Sequence, residues 1–147
     1  MDLDFNQQCV AEHNRKRAIH GCPPLELDQE LAKAAQKYAE KIRDSKRLQH
    51  ASGDFGENLG YKMNSAGIHL TGADATEVWY SEIAKHRYGN DFQPESGHFT
   101  QVVWKGTKKA GFGLAYDKDK KTVYFVGRYY PPGNFQGRFQ ENVPKPR

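Results

Sequence analysis

Cysteine is scarce in this chain: Cys9 and Cys22 are the only two among 147 residues. Two cysteines cannot build the disulfide framework that small secreted domains rely on. Paired, they would close a short loop worth about 3 kcal/mol in the chain-entropy model. The chain reads better with both as reduced, buried thiols. Long apolar runs are missing too, and nothing approaches the roughly 20 residues of a membrane-spanning helix. Met1-Asp2-Leu3-Asp4-Phe5 has neither the basic start nor the apolar run of a signal peptide. Asp2 stands where N-myristoylation needs glycine, and Pro144-Lys145-Pro146-Arg147 offers no prenylation cysteine. A native Met1 would therefore place the protein in the cytoplasm. If the chain is instead a mature secreted one, that expectation fails. No Gly-rich phosphate loop and no aromatic RNA-binding signature occur, so neither nucleotide nor nucleic acid is an expected partner.

Charge of one sign is in only slight excess. The 22 Lys and Arg against 18 Asp and Glu give a net +4 and an isoelectric point near 9.0. The basic residues group around positions 15–17, 41–47, 105–109 and 118–121. Such groups favour anionic surfaces, although interspersed acids make solvated faces the plainer reading. Mean hydropathy is low at −0.90, yet 8 Tyr, 8 Phe and 2 Trp are too many for a disordered chain. A single folded domain over residues 1–147 is expected.

Periodicity predicts a helix over about residues 4–20, with Phe5, Cys9, Val10 and His13 on one face, ended by Gly21 and Pro23-Pro24. A second helix begins after Asp28 with Leu31, Ala34, Ala35, Tyr38 and Ile42 inward. A short strand is expected at 57–61. Thr71-Gly72-Ala73-Asp74 reads as a capping box opening a helix to about Lys85. A short helix carries Phe99, Val102 and Val103, and strands at 111–116 and 122–129 flank a polar hairpin tip. Helices first and a strand pair last imply an α+β fold with an antiparallel sheet packed by helices.

Four segments combine polar residues with glycines and aromatics that a plain core would not need. They are His13-Asn14-Arg15-Lys16-Arg17, Gly56-Glu57-Asn58-Leu59, the run Gly97-His98-Phe99-Thr100-Gln101-Val102-Val103-Trp104, and Arg128-Tyr129-Tyr130-Pro131-Pro132-Gly133-Asn134. In that order they resemble the CAP superfamily of cysteine-rich secretory, antigen 5 and pathogenesis-related proteins. Most similar is the Golgi-associated plant pathogenesis-related subgroup, which lacks the cysteine-rich extension. The position that often holds the family's disulfide cysteine is Gly127 here. A vertebrate member of the subgroup is myristoylated and Golgi-bound; Asp2 breaks that carry-over, so any peripheral Golgi or endomembrane location needs another cause.

The resemblance implies an α-β-α sandwich with a central antiparallel sheet, and a cleft tetrad of His50, Glu57, Glu82 and His98. Two imidazoles with carboxylates nearby suit a weakly held Zn²⁺, with His50 and His98 as ligands and Glu57 and Glu82 orienting rings or waters. The plainer alternative is a hydrogen-bonded cluster tying helices to the sheet. His13, Asn14, Arg17, Asn58 and Asn134 read as structural polar residues whose partners are backbone carbonyls, amides or a carboxylate. Several family members bind sterols or fatty acids, some through an aromatic loop. The matching stretch here is Tyr88-Gly89-Asn90-Asp91-Phe92, which offers Tyr88 and Phe92 as lipid contacts.

Three functions follow as expectations. The favoured one is a non-enzymatic binding protein for lipid or sterol that associates with anionic membranes. A metal- or serine-dependent hydrolase using the same four cleft residues is the alternative. The metal form would need a Zn²⁺-bound water with Glu57 or Glu82 as base. For the serine form, no serine sits in a nucleophile elbow, and Ser52 and Ser96 merely lie close to His50 and His98 in sequence. A self-associating scaffold, as a homodimer, is the third.

Overall fold

The structure, a computed structural model, describes residues 1–147. Its helices are α1 (Leu3–Ile19), α2 (Gln29–Ser45), α3 (Gly72–Tyr80), α4 (Gly97–Val103) and the single turn α5 (Phe139–Asn142). Its strands are β1 (Glu26–Leu27), β2 (Gly56–Met63), β3 (Lys109–Tyr116) and β4 (Thr122–Tyr130). They form one sheet in the order β1-β3-β4-β2. Helix α2 covers one face, and α1, α3 and α4 cover the other. This is the expected α-β-α sandwich with one correction: the two-residue β1 joins β3 in parallel, and only the other three strands are antiparallel. Two residues carry too little periodicity to reveal a strand.

Three helix starts are legible chemistry. Asp2, Asp28 and Thr71 accept from the backbone N–H groups of Phe5, Leu31 and Asp74, and at Thr71 the capping box is complete. The helix predicted to run to Lys85 ends at Tyr80 and tightens into a 3₁₀ turn over Ser81–Lys85. That turn carries Glu82.

The larger core lies between the sheet and α1, α3 and α4, where Trp79, Phe99, Phe112, Phe125 and Phe139 are buried. The smaller core, under α2, is Ala35, Ala39, Ile42, Leu59, Ala115 and Val126. The inward stripe of α2 is therefore Ala32, Ala35, Ala39 and Ile42, turned from the Leu31, Ala34 and Tyr38 side that periodicity favoured. Strand β3 explains the rotation. A Cβ at Gly113 would lie 2.4 Å from Gln36 Cα, and one at Gly111 would lie 2.1 Å from Ala32 N. The helix backbone rests on two glycines, so alanines face the sheet and the large residues flank it.

Beyond its two residues of pairing with β1, the outer edge of β3 is closed by side-chain amides. Asn6 donates to Phe112 O (2.8 Å) and accepts from Phe112 N (2.7 Å). Gln36 does the same for Leu114, at 2.8 and 3.1 Å. One amide comes from each helical layer, and together they occupy donors and acceptors that an edge strand would otherwise present to other chains.

Cys9 and Cys22 are buried and free of each other. Burial pushes both thiols above their ordinary range.

Candidate functional site: two histidine–glutamate pairs

The sheet edge at β2 organises the site. Glu57 lies opposite Arg128 in the β2–β4 register. Its carboxylate accepts from Arg128 Nε at 3.1 Å and from Ala51 N at 3.0 Å, and contacts His50 Nδ1 at 2.9 Å. The Arg128 guanidinium stands between two rings, 4.2 Å from the Phe55 centroid and 4.9 Å from that of Tyr38. Adjacent residues of a strand point to opposite faces. Glu57 thus sits on the α2 side, while Asn58 reaches the other side, donating to His98 O at 3.1 Å and to Tyr129 Oη at 3.3 Å.

The second pair is held at the start of α4. Glu82 Oε1 accepts from the backbone N–H groups of His98 (2.8 Å) and Phe99 (3.1 Å), and Oε2 lies 2.7 Å from His98 Nδ1. An acidic oxygen satisfying the first N–H groups of a helix is favourable for charge as well as hydrogen bonding. Exposure separates the roles. The His50 and His98 side chains are 61% and 34% exposed, against 4% and 21% for Glu57 and Glu82. Each carboxylate fixes a ring through Nδ1, and no hydrogen bond is made by either Nε2.

The four family residues thus form two pairs, on either side of β2 and linked through Asn58. No three His, Cys, Asp or Glu side chains gather as a metal cage. Neither His50 nor His98 hydrogen-bonds a serine or cysteine. The Ser96 hydroxyl, two residues from His98, is buried and lies 2.8 Å from His86 Nδ1 instead.

The residues read as structural are all tied to the frame. Asn14 exchanges two hydrogen bonds with the Leu25 backbone, at 2.7 and 3.1 Å. Arg17, fully buried, donates to the carbonyls of Pro23, Val102, Trp104 and Thr107. Asn134 has a positive φ of 63°; its amide donates to Gly97 O and accepts from Thr100 Oγ1. His13 contacts Cys9 O and Tyr129 Oη, both at 2.8 Å. Burial pushes His13 down to about 3 and Arg17 down to about 10, so at neutral pH the first is neutral and the second charged.

The aromatic loop is anchored rather than free. Asn90 O and Oδ1 accept from Gly137 N and Gln140 N, Phe92 N donates to Gln136 Oε1, and Gln136 donates to Asp91. Phe92 is exposed, 6.0 Å from the Phe139 ring. Tyr88 is half-buried and borders a cavity of about 270 Å³ with Gln140, Val143 and Pro144.

Sequence reading missed three parts of this arrangement. Arg128 was visible in the Arg-Tyr-Tyr run, but its role depends on a strand register that no local signal carries. Tyr38, assigned to the core face of its helix, does pack half-buried against the smaller core but also offers its ring to Arg128, and Phe55 carried no signal at all.

An α-β-α sandwich with two carboxylate-braced imidazoles beside its edge strand matches a CAP-type domain. The family model described as CAP, the cysteine-rich secretory protein family, matches residues 10–129, and the chain belongs to that family. It is similar to human Golgi-associated plant pathogenesis-related protein 1, being 38% identical over 150 residues that cover 97% of this chain and 94% of the human protein. Protein PRY2 of Saccharomyces cerevisiae is 39% identical over 142 residues; the match covers 95% of this chain but 41% of the yeast protein. Among solved structures, that of NaASP2 with Zn²⁺ superposes with a TM-score of 0.76 at 21% identity, covering 100% of this chain and 88% of the other. One relative's name is Golgi-associated and another's, Secreted protein RBT4 of Candida albicans, is secreted. No helix here is long and apolar enough to cross a membrane.

Proposed function

We propose that this protein is a non-enzymatic binding module that takes a lipid or sterol, associates with anionic membrane surfaces at the Golgi or another endomembrane, and holds a divalent metal weakly at its two histidines. The observation that carries the reading is the pairing itself. Both imidazoles are braced by a carboxylate through Nδ1, the arrangement usual for metal-binding histidines, and neither faces a nucleophile. Two Nε2 donors fit a borderline cation such as Zn²⁺. Without a third gathered protein donor, water would complete its shell, which makes the site weak. The similarly folded NaASP2 was crystallised with Zn²⁺, which supports the same reading.

The cavity beside Tyr88 is the candidate for an apolar ligand. It is smaller than a typical site for a drug-sized molecule, so the ligand would enter it by one end. Fluorescence titration with a labelled fatty acid or sterol tests this. Tyr88→Ala should weaken binding by about tenfold, the equivalent of one lost aromatic contact. Unchanged affinity in that variant would move the lipid elsewhere.

A further inference from the structure

One groove differs in charge from its neighbours. It lies between the C-terminal half of α2 and the following loop, encloses about 470 Å³, and is bordered by Tyr38, Lys41, Ser45, Arg47, His50 and Ser52, with no Asp or Glu among its lining residues. The two neighbouring concavities mix signs. The one at the β3–β4 hairpin sets Arg43, Lys46 and Lys118 against Asp44, Asp117 and Asp119. That beside it sets Lys37 and Lys41 against Glu40 and Asp44.

The ion pairs on this side leave the groove's cations free. Arg43 pairs with Asp44 and Lys46 with Asp117, while Lys41 and Arg47 have no carboxylate within 4.0 Å. Glu57 is buried behind His50 and already paired with Arg128, and Glu40 and Asp44 border the adjoining concavity on the other side of Lys41 without an ion pair to it. The partial negative charge of the α2 C-terminus opposes an anion, so Lys41 and Arg47 must outweigh it; the Ile42 carbonyl at that end is taken by Lys46 N and by the Ser45 hydroxyl. Tyr38 donates to Gln49 O, which pins the loop against the helix. The result is a concave wall with two unpaired cations, hydroxyls at its rim and an aromatic side.

We infer that this groove binds a phosphate group, carried either by a soluble phosphate ester or by a lipid headgroup. Two unpaired long cations that can close on one dianion form charge-assisted hydrogen bonds, and an acid-free lining keeps them available. The inference deepens the membrane reading above in its lipid form and stands apart from it in its soluble form.

Calorimetric titration of the full chain with inorganic pyrophosphate tests the site. Saturable one-to-one binding is expected, weakened about tenfold or more in the Lys41→Gln, Arg47→Gln double variant. The Lys33→Gln, Lys85→Gln double variant loses the same net charge elsewhere and should bind within about twofold of the parent. All four substituted residues are exposed, so matched thermal melts will show the fold intact. No pyrophosphate binding, or equal loss in both double variants, overturns the inference. Vesicles of phosphatidylcholine with phosphatidic acid separate the sources. A parallel loss of vesicle binding in the groove variant assigns a lipid headgroup. Vesicle binding that survives while pyrophosphate binding is lost assigns a soluble ester. Failure of the parent chain to bind vesicles at all counts against the membrane reading and leaves the groove standing.

Discussion

Replacing Arg17 by methionine should cost on the order of 4 kcal/mol or more of folding free energy, the largest loss expected from any single polar residue here. The guanidinium is fully buried and makes four hydrogen bonds of 2.7–3.1 Å, all to backbone carbonyls. Two of those carbonyls, Val102 and Trp104, lie at the C-terminal end of α4, where the backbone has unsatisfied acceptors and a partial negative charge. The other two belong to the loops at Pro23 and Thr107. One side chain thus holds α1, the segment before β1, and the turn into β3 together. Methionine would fill much of the volume but leave the carbonyls of Pro23, Val102 and Thr107 without their donor, Trp104 O keeping Thr107 N, at about 1–3 kcal/mol for each that stays buried. Lysine would restore the charge with a single donor head and should recover only part of the loss. For a domain of this size, 4 kcal/mol corresponds to a fall in Tm of roughly 10 °C. A thermal melt of Arg17→Met within about 3 °C of the parent would show that the carbonyls find other partners.

The second large effect is loss of stability in acid, carried by His13. The tautomer is set by its neighbours. Cys9 O can only accept, so Nδ1 carries the proton, and Nε2 accepts from the Tyr129 hydroxyl. Tyr129 Oη in turn accepts from Asn58, whose amide also holds the His98 carbonyl. Protonating Nε2 would aim two donors at the same hydroxyl and put an unpaired charge among Trp79, Phe112 and Tyr129. Burial accordingly pushes His13 from 6.5 down to about 3.

A depressed folded value means that the unfolded chain binds the extra proton first. The stability is therefore fully present above pH 6.5 and is lost as pH falls from there towards 3. The slope approaches 1.4 kcal/mol per pH unit, so about 2 kcal/mol is gone by pH 5 from this residue alone. His20 and His86, both also lowered by burial, add to the slope in the same direction. Urea unfolding at pH 7, 6 and 5 should show the decline. A His13→Gln variant, less stable at pH 7, should show a shallower one. Equal slopes in the two proteins would assign the acid sensitivity elsewhere.

Much of the frame was legible because local chemistry agreed with the final fold. Asp28 and the Thr71-to-Asp74 box start helices as their side chains dictate, and the two aromatic-rich segments in the C-terminal part of the chain pair as strands. The family motif brought His50, Glu57, Glu82 and His98 to attention, yet it could not show that they stand as two pairs astride an edge strand. That division follows from strand parity at Glu57 and Asn58, and from a 3₁₀ turn that presents Glu82 to the start of α4. Neither leaves a mark in composition. The rotation of α2 escaped for a related reason: Gly111 and Gly113, about 80 positions away, decide which of its faces lies against the sheet. Arg128 and the amide caps on β3 depend likewise on register between distant segments.

The reading proposed for the site is that the two braced imidazoles, one on each side of β2, respond to a divalent ion together. Titration of the ¹⁵N-labelled protein with Zn²⁺, following the histidine ring nitrogens by NMR, tests it most directly. The account predicts that the His50 and His98 Nε2 resonances move together at the same metal concentration, and that His98→Ala abolishes the response of His50. Independent responses, or a response confined to other histidines, would contradict it.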